Sequence, residues 1–97
     1  MVMTVLEAHV ASEKILSLKS AYESAVQHLD PGIVETFLLS ETKDTSLWRI
    51  VTVWKDRQAL DAMRNSGQTP KGVLIFREAA ADPVLSILDV AGHAAAK

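Results

Sequence analysis

The stretch Leu47 to Met63, LWRIVTVWKDRQALDAM, constrains this chain more than any other. It opens as a strand that is mostly apolar on both faces, closes on Trp54, and turns within a few residues into a short helix. Asp56 is a natural N-cap for that helix, which carries Ala59, Leu60 and Met63 inward. Asn65-Ser66-Gly67 supplies its C-terminal stop, with Pro70 just beyond.

The rest of the chain arranges itself around this unit. Met3 to Val10 (MTVLEAHV) reads as a first strand. Alternation puts Val5, Glu7 and His9 on one face and Thr4, Leu6, Ala8 and Val10 on the other. Ser12 stands where an N-cap belongs, and Ile15, Leu18, Tyr22, Ala25, Val26 and Leu29 then make one helical apolar stripe. Asp30-Pro31-Gly32 ends that helix, because proline cannot continue it and glycine takes up the turn. A second strand runs from about Ile33 to Glu41. The short polar link Lys43-Asp44-Thr45-Ser46 joins it to Leu47, so the two strands are predicted to form an antiparallel hairpin. Gly72 to Glu78 (GVLIFRE) reads as a fourth strand, and Val84 to Val90 as either a further strand or a helical turn. Gly92 to Lys97 reads as a frayed tail.

The predicted order is β-α-β-β-α-β, the split βαβ arrangement of an α+β, ferredoxin-like domain with an antiparallel sheet. The whole chain, 1–97, forms one domain, with a core at about 3–78 and an extension over 79–97. Two helices cover one face of a four-stranded sheet, yet strands two to four are apolar on both faces. An uncovered apolar face of that size exceeds what soluble monomers usually carry. The expectation is a homodimer with its sheets packed face to face, in which Val84 to Val90 can reach across to the partner.

Composition narrows the function. A net charge of −2 gives no electrostatic reason to expect nucleic acid or an anionic membrane surface. With no cysteine there is no disulfide, thiol nucleophile or thiolate metal site. The N-terminus lacks the pattern of a signal peptide and no apolar run is long enough to span a bilayer, so the expectation is a soluble, cytoplasmic protein. The four glycines stand apart, at 32, 67, 72 and 92, and form no phosphate loop.

With the strand pattern VLEAHV and the unit IVTVWKDRQALDAM (Ile50–Met63), the chain resembles the antibiotic biosynthesis monooxygenase family of the dimeric α+β barrel superfamily. The likeness spans roughly Met3 to Glu78. It implies a homodimeric barrel with a small pocket in each subunit between sheet and helices. Members include oxygenases of polyketide or quinol-like aromatics that use neither flavin nor metal, and others that bind and degrade haem. The haem-degrading members carry a histidine iron ligand soon after the second helix, where this chain reads Gly67 to Val73 (GQTPKGV), and a tryptophan where it has Met63. A proximal iron ligand therefore has no evident provider. The polyketide-oxidising pattern pairs the strand-three tryptophan with an asparagine, where Ile50 stands here. The function implied is a monooxygenase acting on a small aromatic or quinol-type metabolite without a bound cofactor; the alternative is a non-catalytic ligand-binding or structural homodimer.

Among single residues, His9 is the candidate acid/base, because an imidazole exchanges protons near neutral pH and Glu7 on the same face can orient it. Trp54 is the candidate pocket wall, with core packing as its competing role. Arg49 and Arg77, charges set into apolar strands, could steer an anionic or phenolate substrate, or simply pair across strands. Asn65 is a possible pocket amide, although its place beside Ser66-Gly67 suits a helix end. His9, His28 and His93 are too scattered for a metal site. An enzyme of this kind requires His9 and Trp54 to converge on one cavity.

Overall fold

The computed structural model describes residues 1–96; Lys97, at the end of the expected tail, lies outside the described residues. Four strands and three helices follow in the order β1 (Val2–His9), α1 (Ile15–Ala25), β2 (Ile33–Ser40), β3 (Leu47–Trp54), α2 (Arg57–Arg64), α3 (Lys71–Glu78) and β4 (Val84–Asp89). The sheet is open and ordered β2-β3-β1-β4, with every neighbouring pair antiparallel. This is the ferredoxin-like α+β arrangement that the sequence predicts, reached by a different route through its last third.

The difference lies in GVLIFRE. It is a helix, and Val84–Asp89 is the fourth strand, so the sheet extends past the expected core boundary at Glu78. The physical reason is visible in what each segment buries. Ile75, Phe76 and Ala79 are buried while Leu74, Arg77 and Glu78 are exposed, a one-sided pattern with helical spacing. Pro70 holds the N-cap position, and Ala80, at φ 56, closes the helix. The amides of Ala80 and Ala81 donate back to the carbonyls of Arg77 and Phe76, the paired bonds of a Schellman end. Gly72 is required where α3 crosses β1, since a Cβ there would run into the side chain of Leu6.

Two smaller corrections concern helix ends. Ser12 lies inside a short 3-10 turn, Ser12–Lys14, that leads into α1 and makes no side-chain cap. Helix α1 proper stops at Ala25 rather than at Leu29. The Asp56 cap is present: its carboxylate accepts from the amide of Ala59 at 2.8 Å. The hairpin between β2 and β3 also forms as expected, with a register irregularity between Ile33 and Glu35.

All three helices lie on one face of the sheet. That face carries Val2, Thr4, Leu6 and Ala8 from β1 and Trp48, Ile50, Thr52 and Trp54 from β3, most of them buried. The core divides into two clusters. One gathers Leu6, Val10, Leu18, Trp48, Ile50, Ile75 and Phe76; the other gathers Val2, Trp54 and Leu60 with Ile33 and Met63 against them. The opposite sheet face has no cover among the described residues: Phe37, Leu39, Val84 and Leu88 stand exposed there, Val84 at 69%.

Candidate functional site

Between the two core clusters lies a half-enclosed cavity of about 150 Å³. Its floor is the middle of the sheet and its roof is the C-terminal half of α1 with α2 and the start of α3. Leu6, Ile50 and Ile75 line it from one cluster, and Trp54, Leu60 and Met63 from the other. An engineered core void loses about 24 cal/mol per Å³, so a gap of this size forgoes about 3–4 kcal/mol as an upper bound for a closed cavity.

The floor is polar in one line. Strand register sets Thr36 opposite Thr52 and Thr52 opposite Thr4, so three strands contribute one row of hydroxyls to the cavity. The Thr36 and Thr52 oxygens are 3.4 Å apart, and the hydroxyl of Tyr22, from α1, reaches Thr36 at 3.5 Å. These are long, weak hydrogen bonds that a ligand oxygen could replace. At the other end, Trp54 Nε1–H donates to Thr4 Oγ1 at 3.2 Å. Thr4 thus accepts from the indole, which leaves its own proton free to donate in turn. Trp54 is 3% exposed, its ring walling the cavity while its N–H is satisfied.

Three charged side chains also line the cavity: Asp30, Arg64 and Lys71. Asp30 comes from the turn after α1, Arg64 from the last turn of α2 and Lys71 from the first turn of α3. The Lys71 ammonium stands 3.5 Å from the Asp30 carboxylate and also donates to the carbonyl of His28. Gly32 takes up the turn at φ +88, packed so closely on Ala59 that a Cβ would collide with it.

Of the candidate site residues His9, Trp54, Arg49, Asn65 and Arg77, only Trp54 lines this cavity. His9 does not meet it, so the convergence of His9 and Trp54 expected of an enzyme is absent, and a base for any chemistry in the cavity has to be another side chain. The pairing Val2↔Trp54 and His9↔Leu47 puts the two at opposite ends of the β1–β3 ladder, on opposite faces. The His9 side chain is 68% exposed, with Nδ1 2.9 Å from Ser46 Oγ and 3.7 Å from the Asp44 carboxylate. Arg49 lies on the uncovered face between Glu7, at 2.7 Å, and Glu41, at 3.1 Å. Hydrogen bonding to Arg49 lowers the Glu41 pKa, and the same two carboxylates raise that of Arg49. The hydroxyl and amide of Ser46 hold Asp44 below the usual aspartate value. Asn65 caps the end of α2, and Arg77 is exposed in the last turn of α3 rather than in a strand. Among the described residues no three His, Asp or Glu side chains are grouped to hold a metal ion.

The sequence reading missed the threonine row and the three charged residues. Parity already placed Thr4 and Thr52 on the faces of Leu6 and Trp54; the register that aligns them was the absent piece.

The model for antibiotic biosynthesis monooxygenases matches residues 1–72. The chain belongs to that family. Among proteins with curated descriptions, none matches this sequence. Solved structures of the same fold include a candidate antibiotic biosynthesis monooxygenase of Deinococcus radiodurans, with TM-score 0.73 and 10% identity over 100% of this chain and 99% of that one. SnoaB, a cofactor-independent oxygenase from Streptomyces nogalater, aligns with TM-score 0.70 and 17% identity over 95% and 94% of the two chains. MhuD, a haem degrader from Mycobacterium tuberculosis with two haems in its active site, aligns with TM-score 0.68 and 19% identity over 98% and 100%. At these identities the likeness concerns the fold alone. Within this antibiotic biosynthesis monooxygenase fold, the present cavity does not suit a haem. No histidine lines it, and about 150 Å³ is well below the roughly 300–1,000 Å³ of pockets for drug-sized ligands.

Proposed function

We propose that this chain is a monooxygenase acting, without a bound cofactor, on a small aromatic or quinol-type metabolite held in the cavity behind Trp54. The observation that carries the reading is the cavity itself: an apolar gap in the core, walled by an indole and floored by Thr4, Thr52 and Thr36. Apolar walls favour a flat aromatic body, and the hydroxyl row favours an oxygen atom on its edge. Thr4, already accepting from Trp54, is the donor placed to stabilise a developing phenolate.

A substrate phenol hydroxyl, or a methylene activated by neighbouring carbonyl groups, loses a proton to Asp30, the one carboxylate that lines the cavity among the described residues. The resulting anion passes one electron to dioxygen, and the radical pair combines to a carbon–oxygen bond. The peroxide takes back the proton, then loses water as the remaining C–H bond breaks. One oxygen atom becomes a carbonyl on the carbon that combined with dioxygen and the other leaves as water.

The same reading includes a homodimer in the cytoplasm. The exposed Phe37, Leu39, Val84 and Leu88 supply a reason for a second copy to cover the open sheet face. Among the described residues no helix is long and apolar enough to cross a membrane. A non-catalytic, ligand-binding dimer is the second reading, favoured by one observation: the only histidine in the strands, His9, stands outside the cavity.

Oxygen uptake with a panel of anthrone- and quinol-like compounds under ¹⁸O₂ separates the two. The enzyme reading expects one labelled atom in the product and one in water. A folded protein that binds these compounds in the cavity and consumes no oxygen would establish the binding module instead.

A further inference from the structure

We propose that Arg64 reads a carboxylate on the molecule that enters the cavity, so that the site takes aromatic acids in preference to neutral aromatics of the same shape. This rests on the cavity being the substrate site, as argued above.

Helix α2 presents Leu60, Met63 and Arg64 to the cavity, residues spaced by three and four and therefore on one face. The first two are apolar and lie against the interior. Arg64 ends that face as an exposed side chain, which places a cation at the mouth of an apolar chamber. The other charged groups there account for each other, since Lys71 is held by Asp30 and by the His28 carbonyl. Arg64 has no carboxylate partner among the described residues; the ion pair within α2 is between Arg57 and Asp61. The mouth therefore carries one uncompensated positive charge. A guanidinium offers a planar fork of donors that matches a carboxylate, and this one is free to turn toward a ligand. With the chamber sized for about one aromatic ring, a second ring or a short substituent would bring an acid group out to Arg64. The competing role for Arg64 is only to complement the dipole at the end of α2.

Titration of the ¹⁵N-labelled protein with 2-naphthoate and with 2-naphthamide, at constant ionic strength, decides between them. The expected result is naphthoate binding about three- to tenfold tighter than the amide, a modest ratio because the mouth is solvated. Arg64→Gln should bring the acid down to the affinity of the amide and leave the amide unchanged, and Arg64→Lys should recover part of the preference. Asp30→Asn, which frees Lys71, should raise naphthoate affinity further. Equal affinities in the wild type, or an Arg64→Gln variant that keeps the acid-to-amide ratio, would overturn the proposal and leave Arg64 a helix-end charge. If neither probe shifts the amides of cavity residues, the cavity itself is not the binding site, and both readings fall.

Discussion

Trp54 and Thr4 are joined across β3 and β1 by a hydrogen bond of 3.2 Å from the indole N–H to the threonine hydroxyl, buried in the wall of the cavity. This contact ties the larger tryptophan wall to the polar floor. It also settles a donor that would otherwise be buried without a partner, which costs about 1–3 kcal/mol.

Replacing Trp54 by Phe keeps an aromatic wall and removes the donor. The loss of the bond and of ring contacts should destabilise the fold by about 1–2 kcal/mol in urea unfolding. Ligand-dependent quenching of fluorescence should vanish as well, because the remaining tryptophan, Trp48, does not line the cavity.

Filling the gap tests what it is for. Ala25 lines the cavity from α1 and is only partly buried. Ala25→Leu places three more carbons toward the void, and stability should hold or rise by up to about 1–2 kcal/mol while binding of aromatic probes is lost. A gain in stability with a loss of binding would mark the cavity as a functional feature kept against the interest of the core.

Ala80 holds the left-handed position at the end of α3, with φ 56. An L-residue there costs about 1–2 kcal/mol, partly offset by the unfolded-state entropy a glycine would add. Ala80→Gly should therefore stabilise the protein by about 0.5–1 kcal/mol, read as a higher urea midpoint with unchanged slope.

The acidic groups of the hairpin give the fold a pH dependence with a definite sign. Glu41 is lowered chiefly by its hydrogen bond to Arg49, and Asp44 chiefly by Ser46. Groups held below their unfolded values stabilise the fold above the ordinary carboxylate range, and that contribution is lost as pH falls through their folded values. Unfolding midpoints should decline from about pH 5 downward. The decline should be shallower in Arg49→Met, which removes the main cause at Glu41.

The sequence shows the sheet and its hairpin well because β1, β3 and the Asp56 cap each follow from local signals: alternation, a short polar link, and a carboxylate before a helix. It misleads at GVLIFRE. Seven apolar-rich residues fit either a strand or one face of a short helix, and periodicity alone cannot separate the two. The pairing of β4 with β1 decides it, since VLSILD fills the edge that GVLIFRE would have needed. The site was less legible than the fold for the same reason. Trp54 belongs to a local pattern, whereas Thr4, Thr36 and Thr52 become one row only through the register of three strands. Arg64 and Lys71 meet the same chamber only because the α2–α3 link returns over it. His9 was attractive as a chemical type, but its strand parity and its place opposite Leu47 remove it from the chamber.

The most direct test of the account is the rate of oxygen uptake on one accepted single-ring quinol-like substrate, measured side by side for wild type, His9→Ala and Asp30→Asn. Proton abstraction inside the cavity predicts that His9→Ala turns over at the wild-type rate and that Asp30→Asn falls by about a hundredfold or more while still binding the substrate. Turnover lost with His9 and kept without Asp30 would contradict it, and would move the chemistry to the open face of the sheet.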